Sequence, residues 1–223
     1  MKKLTANIIG ATGLVGTQLV QLILEDDRFE QLNIYTRRST GFNHPKIKEQ
    51  LVDFDQIDQW VNQIKGDVLF SSLGTTLKKA GSANKQFQID YTYQFNVAEA
   101  AAQQGVSTYV LISSAGANSN SRLFYSKMKG ELDENVRKLN FEKTIILRPS
   151  ILDGKRLEKR TTEQISLKIA RWLTKFIFRK YRPIHAKTVA KAMINAVFIE
   201  HQTPAYSIYE LDELFEIANE INS

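Results

Sequence analysis

A chain of 223 residues, 43% apolar and 24% charged, has the size and make-up of one globular domain. It contains no Cys, which excludes a disulfide framework, a thiolate nucleophile and thiolate-ligated zinc, and suggests a reducing, cytoplasmic setting. The net charge of +6 is unevenly spread, because residues 155–191 hold twelve Lys or Arg against Glu158 and Glu163.

The chain opens MKKLTANIIGATG, with two Lys followed by an apolar stretch that Asn7 interrupts and a glycine turn ends. This predicts a first strand, not a signal peptide. Nothing approaches 18 uncharged apolar residues, so no membrane-spanning segment is predicted. Leu14 to Glu25, apolar at 15, 19, 20, 22, 23 and 24, predicts the first helix. LNIYT reads as strand two, KEQLVDF as strand three, VLFSSLG as strand four, YVLISSAG as strand five and KTIILRPS as strand six. Helices are expected over Gln56 to Ile64, Ala83 to Gln104 and Tyr125 to Lys138. Short apolar strands alternating with helices predict an α/β fold, a doubly wound, mainly parallel sheet with helices on both faces. The rhythm stops after Arg148-Pro149, so residues 152–223 are expected to add a small helical lid to a single domain spanning 1–223.

GATGLVG places Gly10, Gly13 and Gly16 directly after a strand and at the start of a helix, the setting of a Rossmann dinucleotide turn. Gly10 permits the tight turn, Gly13 lets the backbone approach a pyrophosphate, and Gly16 lets the helix pack on the strand. Thr12, Leu14 and Val15 lie in the same turn and are candidate cofactor contacts, the pyrophosphate resting on the free helix N–H groups. Strand two ends in Tyr35-Thr36-Arg37-Arg38 instead of the acidic residue that bonds an NAD ribose. Two guanidiniums suit a 2′-phosphate, so NADP(H) is favoured over NAD(H).

Tyr125 and Lys129 stand at i and i+4, on one helix face. Moving a proton at a carbonyl oxygen needs an acid–base group there, and an ammonium one turn away favours the phenolate form of a Tyr. Strand five ends in Ile112-Ser113-Ser114-Ala115-Gly116, at the carboxyl edge where open α/β sheets take ligands. A hydroxyl there can bond a developing oxyanion. Ser114 is the candidate, with Ser113 as its possible substitute.

The GxxGxxG turn and the Tyr-x-x-x-Lys pair together resemble short-chain dehydrogenases/reductases of the extended or atypical kind over roughly the whole chain. LFSSLGTTLKKAGSANKQFQIDYTYQFNVAEAAAQQGVSTYVLISSAGAN, followed by YSKMKGELDENV, is similar to the Tat-interacting-protein branch, LGTT and KKAG being the specific part. The resemblance implies that Leu73, Gly74 and Thr75 border the cofactor and that Asp53 lies near the adenine. It also implies that Pro149, Ser150 and Ile151 line the nicotinamide end, and that Ser114, Tyr125 and Lys129 form the catalytic set, the last two also touching cofactor. Extended members often carry an Asn in the helix after strand four, where this chain has Asp90. An Asn-dependent water relay is thereby put in doubt.

The leading expectation is an NADP-dependent oxidoreductase acting on a small carbonyl or alcohol. An epimerase or dehydratase acting on a sugar nucleotide would use the same trio, although the small C-terminal part argues against it. A regulatory protein holding NADPH as a structural ligand is the reading of another class. Residues 162–182 form an amphipathic basic pattern with Ile165, Ile169, Trp172, Leu173 and Phe176 on one side, expected as a lid and also suited to peripheral contact with an anionic membrane or partner protein. His44, His185 and His201 lack ligand spacing, so no metal site is expected, and no nucleic-acid binding.

Overall fold

In the computed structural model, residues 2–153, 182–200 and 205–219 are described. The expected basic helix over 162–182 lies outside these residues except for Arg182. The described residues form β1 (Leu4–Ile9), α1 (Leu14–Glu25), β2 (Phe29–Thr36), β3 (Ile47–Leu51) and β4 (Val68–Ser71), then α2 (Leu77–Ala80), α3 (Ala83–Phe87), α4 (Tyr93–Gln103), β5 (Thr108–Ile112) and α5 (Phe124–Val136). β6 (Lys143–Arg148), β7 (Leu152–Asp153), β8 (Ile184–His185), α6 (Ala186–Phe198), β9 (Ala205–Glu210) and α7 (Glu213–Asn219) follow.

Seven strands make one parallel sheet in the order β3-β2-β1-β4-β5-β6-β9. The two-residue alternation of strands sends neighbours to opposite faces. Ile8, Ile34, Phe70, Val110 and Ile145 pack beneath α1, α6 and α7, whereas Ile9, Tyr35, Leu69, Tyr109, Leu111 and Ile146 pack beneath α4 and α5. This is the doubly wound arrangement expected, and it puts the loops after β1, β4, β5 and β6 together at the carboxyl edge.

Three features differ from expectation. The strand–helix rhythm does not stop at Pro149: α6 packs on α1, and β9 joins β6 as the seventh parallel strand. Residues 184–219, where described, therefore belong largely to the sheet body instead of a lid. Gln56 to Ile64 is not a helix but two 3-10 turns, Phe54–Gln59 and Val61–Gln63, with Gln56 outside helical geometry. The Asp53 carboxylate accepts from Asp55 N, and Trp60 Nε1 donates 2.9 Å to the Asp53 carbonyl, fixing tight turns where a long helix was expected. Finally, the strands are not apolar throughout. Asn7 and Asn33 are buried side by side, with Asn33 Nδ2 donating 3.0 Å to Asn7 Oδ1, and Tyr35 Oη donating to the Gln63 carbonyl at 2.7 Å.

Candidate functional site

Gly10 has φ +85°, and a Cβ there would lie 2.4 Å from Leu73 N and 2.5 Å from the Ser72 carbonyl oxygen. The turn after β1 is thus pressed against the loop after β4, where Ser72 N donates 3.0 Å to the Ile9 carbonyl. A Cβ on Gly16 would stand 2.0 Å from Gly10 O, so only glycine lets α1 start this close to the strand. Gly13 is the N-cap of α1; no side chain caps it and no acidic residue stands in the first turn. The N–H groups of Leu14, Val15 and Gly16 therefore open the helix with its positive dipole end facing the edge of the sheet. That cradle fits a pyrophosphate.

Arg37 and Arg38 are both exposed just past β2. Glu49 on β3 is engaged by the same loop, accepting from Ser39 Oγ at 2.7 Å, from Thr40 N at 2.8 Å and from the Thr40 hydroxyl. Burial raises its pKa, but the Thr40 and Ser39 bonds outweigh that and hold it below the ordinary range. Asp53 is exposed beyond β3, with its carboxylate oxygens on Asp55 N and Gln56 Nε2. It thus serves as a turn cap.

The candidate catalytic residues come from the start of α5 and the loop after β5. Tyr125 lies in the first turn of α5 and is 42% exposed, whereas Lys129, one turn on, is 4% exposed. Lys129 Nζ reaches the Ile112 carbonyl at 3.4 Å, immediately before Ser113-Ser114. The loop after β5 is held to the loop after β6 by Ala115 N donating 3.0 Å to Pro149 O, and to α5 by Asn118 N donating 3.0 Å to Ser126 O. A glycine that sequence reading passed over makes this possible, because a Cβ on Gly130 would sit 2.2 Å from Ser119 N. Ser113 and Ser114 separate in character. Ser113 is buried beside Asp133 with its hydroxyl outside hydrogen-bond geometry, and Ser114 is half-buried with only a marginal 3.4 Å approach to the Ala115 carbonyl. Ser150 Oγ donates to the Arg182 carbonyl at 2.5 Å, and Ile151 O accepts from Ile184 N, so this end of the site is tied to the short β7–β8 pair.

Beneath the trio lies a buried charge cluster that the sequence reading did not anticipate. Asp90, 1% exposed, sits in a π turn (Gln88–Thr92) between α3 and α4. Its carboxylate accepts 2.7 Å from Thr75 N and 3.3 Å from Gln86 Nε2, fastening the Leu73-Gly74-Thr75 loop to the helix. Asp133, also 1% exposed, follows Lys129 by four residues and binds Arg148 at 2.9 Å, and Arg148 binds Glu210 at 2.7 Å. Spacing could have revealed Asp133, since Tyr125, Lys129 and Asp133 form one stripe of α5.

Burial raises the Asp90 pKa, opposed by the Lys129 charge and the bonds from Thr75 and Gln86. The sign of the stability effect follows from linkage. A carboxyl whose folded pKa lies above its unfolded value stabilises most below the unfolded pKa and loses that contribution as pH rises through the folded one. Asp90→Asn keeps an acceptor for Thr75 N. Its stability relative to the unsubstituted chain is expected to rise from about pH 4 upward and then level off, as read by urea unfolding across that range. A difference independent of pH would show that Asp90 is not the titrating group.

Residues 10–198 match the family described as NAD(P)H-binding. The chain belongs to that family. Among curated relatives, Protein FMP52, mitochondrial, of Coccidioides immitis is 34% identical over 86% of this chain and 85% of its own length. FMP52-1 of Scheffersomyces stipitis is 33% identical over 96% and 98%, and FMP52 of Candida glabrata is 42% identical over 70% and 67%. All three are named as mitochondrial, which overturns the cytoplasmic placement expected from the absence of Cys. Lack of Cys excludes disulfides and does not name a compartment. Among solved structures, UDP-N-acetylglucosamine 4-epimerase from Methanobrevibacter ruminantium M1 superposes with TM-score 0.68 at 16% identity, covering 97% of this chain and 81% of that one. MoeE5 in complex with UDP-glucose and NAD gives TM-score 0.70 at 14% identity over 98% and 82%. At such identities the likeness shows the Rossmann-like fold alone.

Proposed function

We propose that this NAD(P)H-binding protein is an NADP-dependent oxidoreductase that interconverts a carbonyl and an alcohol. The observation that carries the reading is Lys129, buried one turn below the exposed Tyr125 and held on the Ile112 carbonyl that leads into Ser113-Ser114. The Gly10–Gly16 turn and the first N–H groups of α1 would hold the pyrophosphate, Leu73, Gly74 and Thr75 would border the cofactor, and Pro149 and Ile151 would line its reactive end. The bound coenzyme would supply the hydride in reduction as NADPH and would accept it in oxidation as NADP+. As the carbonyl π bond breaks, Tyr125 Oη gives its proton to the substrate oxygen. Ser114 Oγ donates to that oxygen and orients it, and the Lys129 ammonium restrains the charge left on the phenolate.

Turnover of a panel of aldehydes and ketones, followed by NADPH absorbance, tests the reading. Oxidation of NADPH with stoichiometric alcohol supports it, and a panel with no turnover in either direction overturns it.

The coenzyme preference rests on Arg37 and Arg38 in the absence of a free carboxylate at the end of β2. Arg37→Ala is expected to weaken NADPH binding about ten- to hundredfold, the worth of a charge-assisted bond to phosphate, and to leave NADH binding nearly unchanged by calorimetry. Equal losses for both coenzymes would refute the assignment.

A further inference from the structure

Among the described residues, six large apolar side chains are exposed: Leu51, Leu77, Leu123, Phe124, Tyr125 and Ile151. Their places in the fold are not scattered. Leu51 closes β3, Leu77 opens α2 after β4, Leu123 to Tyr125 lead into α5 after β5, and Ile151 follows β6. All six therefore lie at the carboxyl edge of the parallel sheet, where open α/β sheets take ligands. Single exposed apolar residues need no explanation, but their confinement to the ligand-binding edge does. The exposure is large, at 70% for Leu123, 55% for Leu77 and 53% for Ile151.

Five of the six stand in the three segments around Tyr125, which follow the neighbouring strands β4, β5 and β6. Segments 72–80, 113–127 and 149–152 contain no Asp or Glu. Their charged residues are the cations Lys78, Lys79, Arg122 and Lys127. An apolar edge flanking a proton donor suits a substrate whose reacting carbonyl is attached to hydrocarbon, because that hydrocarbon leaves water against Leu77, Leu123 and Phe124 as the carbonyl reaches Tyr125. A sugar nucleotide would gain nothing from Leu77, Leu123 and Phe124, although its hydroxyls and diphosphate would suit the Ser, Thr and Asn side chains and the cations of the same segments, so the test below sets the two substrates against each other.

We infer that the rim formed by Leu77, Leu123, Phe124 and Ile151 takes the apolar part of the substrate, so that the carbonyl compound reduced at Tyr125 is an aldehyde or ketone with an extended hydrocarbon chain. This rests on the oxidoreductase reading. Removing a methylene from water is favourable enough that, on a half-open rim, each added carbon should raise kcat/KM about threefold until the chain outruns it.

The test measures NADPH oxidation by the full chain with unbranched aldehydes from butanal to decanal, and turnover of UDP-glucose. A rise with chain length that Leu77→Ser and Leu123→Ser flatten, with NADPH affinity unaltered, supports the inference. Both changes fall on exposed side chains, so the fold should survive them. Turnover without length dependence, or turnover of UDP-glucose in preference, overturns the inference and leaves carbonyl reduction standing or replaced on its own terms. If no carbonyl is reduced, the proposed reaction fails, and calorimetric affinity of the NADPH-loaded protein for butanol to decanol decides the rim separately. Affinity that grows with length upholds the rim, and flat affinity overturns it. Binding to phosphatidylcholine vesicles that both Leu variants abolish, without any length dependence, would assign the rim to a lipid surface and also overturn it.

Discussion

Tyr125→Phe is expected to lower kcat about 10²–10⁴-fold on any carbonyl the unsubstituted protein reduces, while NADPH affinity changes by less than about twofold. The substitution removes one oxygen from a ring that is already 42% exposed, so little packing is lost. Lys129 keeps its place, because its anchor is the Ile112 carbonyl and not the phenol. What disappears is the proton that must reach the substrate oxygen as the hydride arrives at carbon. Stopped-flow measurement of NADPH consumption, with fluorescence titration of NADPH, separates the two quantities. A loss of coenzyme affinity as large as the loss of rate would assign the effect to coenzyme binding and remove Tyr125 from proton transfer.

Arg148→Met carries the largest expected cost in stability, about 3–5 kcal/mol, because it strands a buried carboxylate. The Asp133 side chain is 2% exposed, and Arg148 reaches it through both Nε and Nη2 at 2.9 Å. Arg148 also binds Glu210 at 2.7 Å, so one guanidinium links α5, β6 and β9. The double variant Asp133→Leu/Arg148→Met should recover most of the loss, since a pair removed together leaves no lone charge. Burial already raises the Asp133 pKa against the pull of Ser113, Arg148 and Lys129. Its neutral form is therefore the better tolerated one, and the single variant should lose less stability near pH 5 than near pH 8. Urea unfolding at the two values measures this. A double variant no better than the single would locate the cost in packing.

Much of the fold was legible because its signals are local. The glycine turn, the first helix and the short apolar strands each announce themselves within a few residues, and the parallel sheet follows from their alternation. That Tyr125 and Lys129 share a helix was legible for the same reason, their spacing being one helical turn. The buried charges were not. In sequence, the spacing puts Asp133 on the Tyr125–Lys129 stripe but does not signal its burial, and Arg148, Glu210 and Asp90 come from distant elements whose meeting only the folded chain defines. β9 escaped for a different reason: AYSIYE pairs on a single side at the end of the sheet, is half-buried throughout, and carries no clean alternation. The 3-10 turns at Phe54–Gln63 defeated a helix expectation because Asp53 competes for the backbone N–H groups that a helix would have used.

The packing of α6 on α1 has a consequence for how the chain is made. Val15, Leu19 and Ile23 share one apolar layer with Val189, Met193 and Val197, so the helix after the Gly10–Gly16 turn is covered by residues about 170 positions later in the chain. During vectorial synthesis, α1 leaves the ribosome long before its cover exists, and its apolar stripe must wait in a partly assembled sheet. Contacts of such long sequence separation are expected to slow folding, because the loop between the two helices must close before their packing can form.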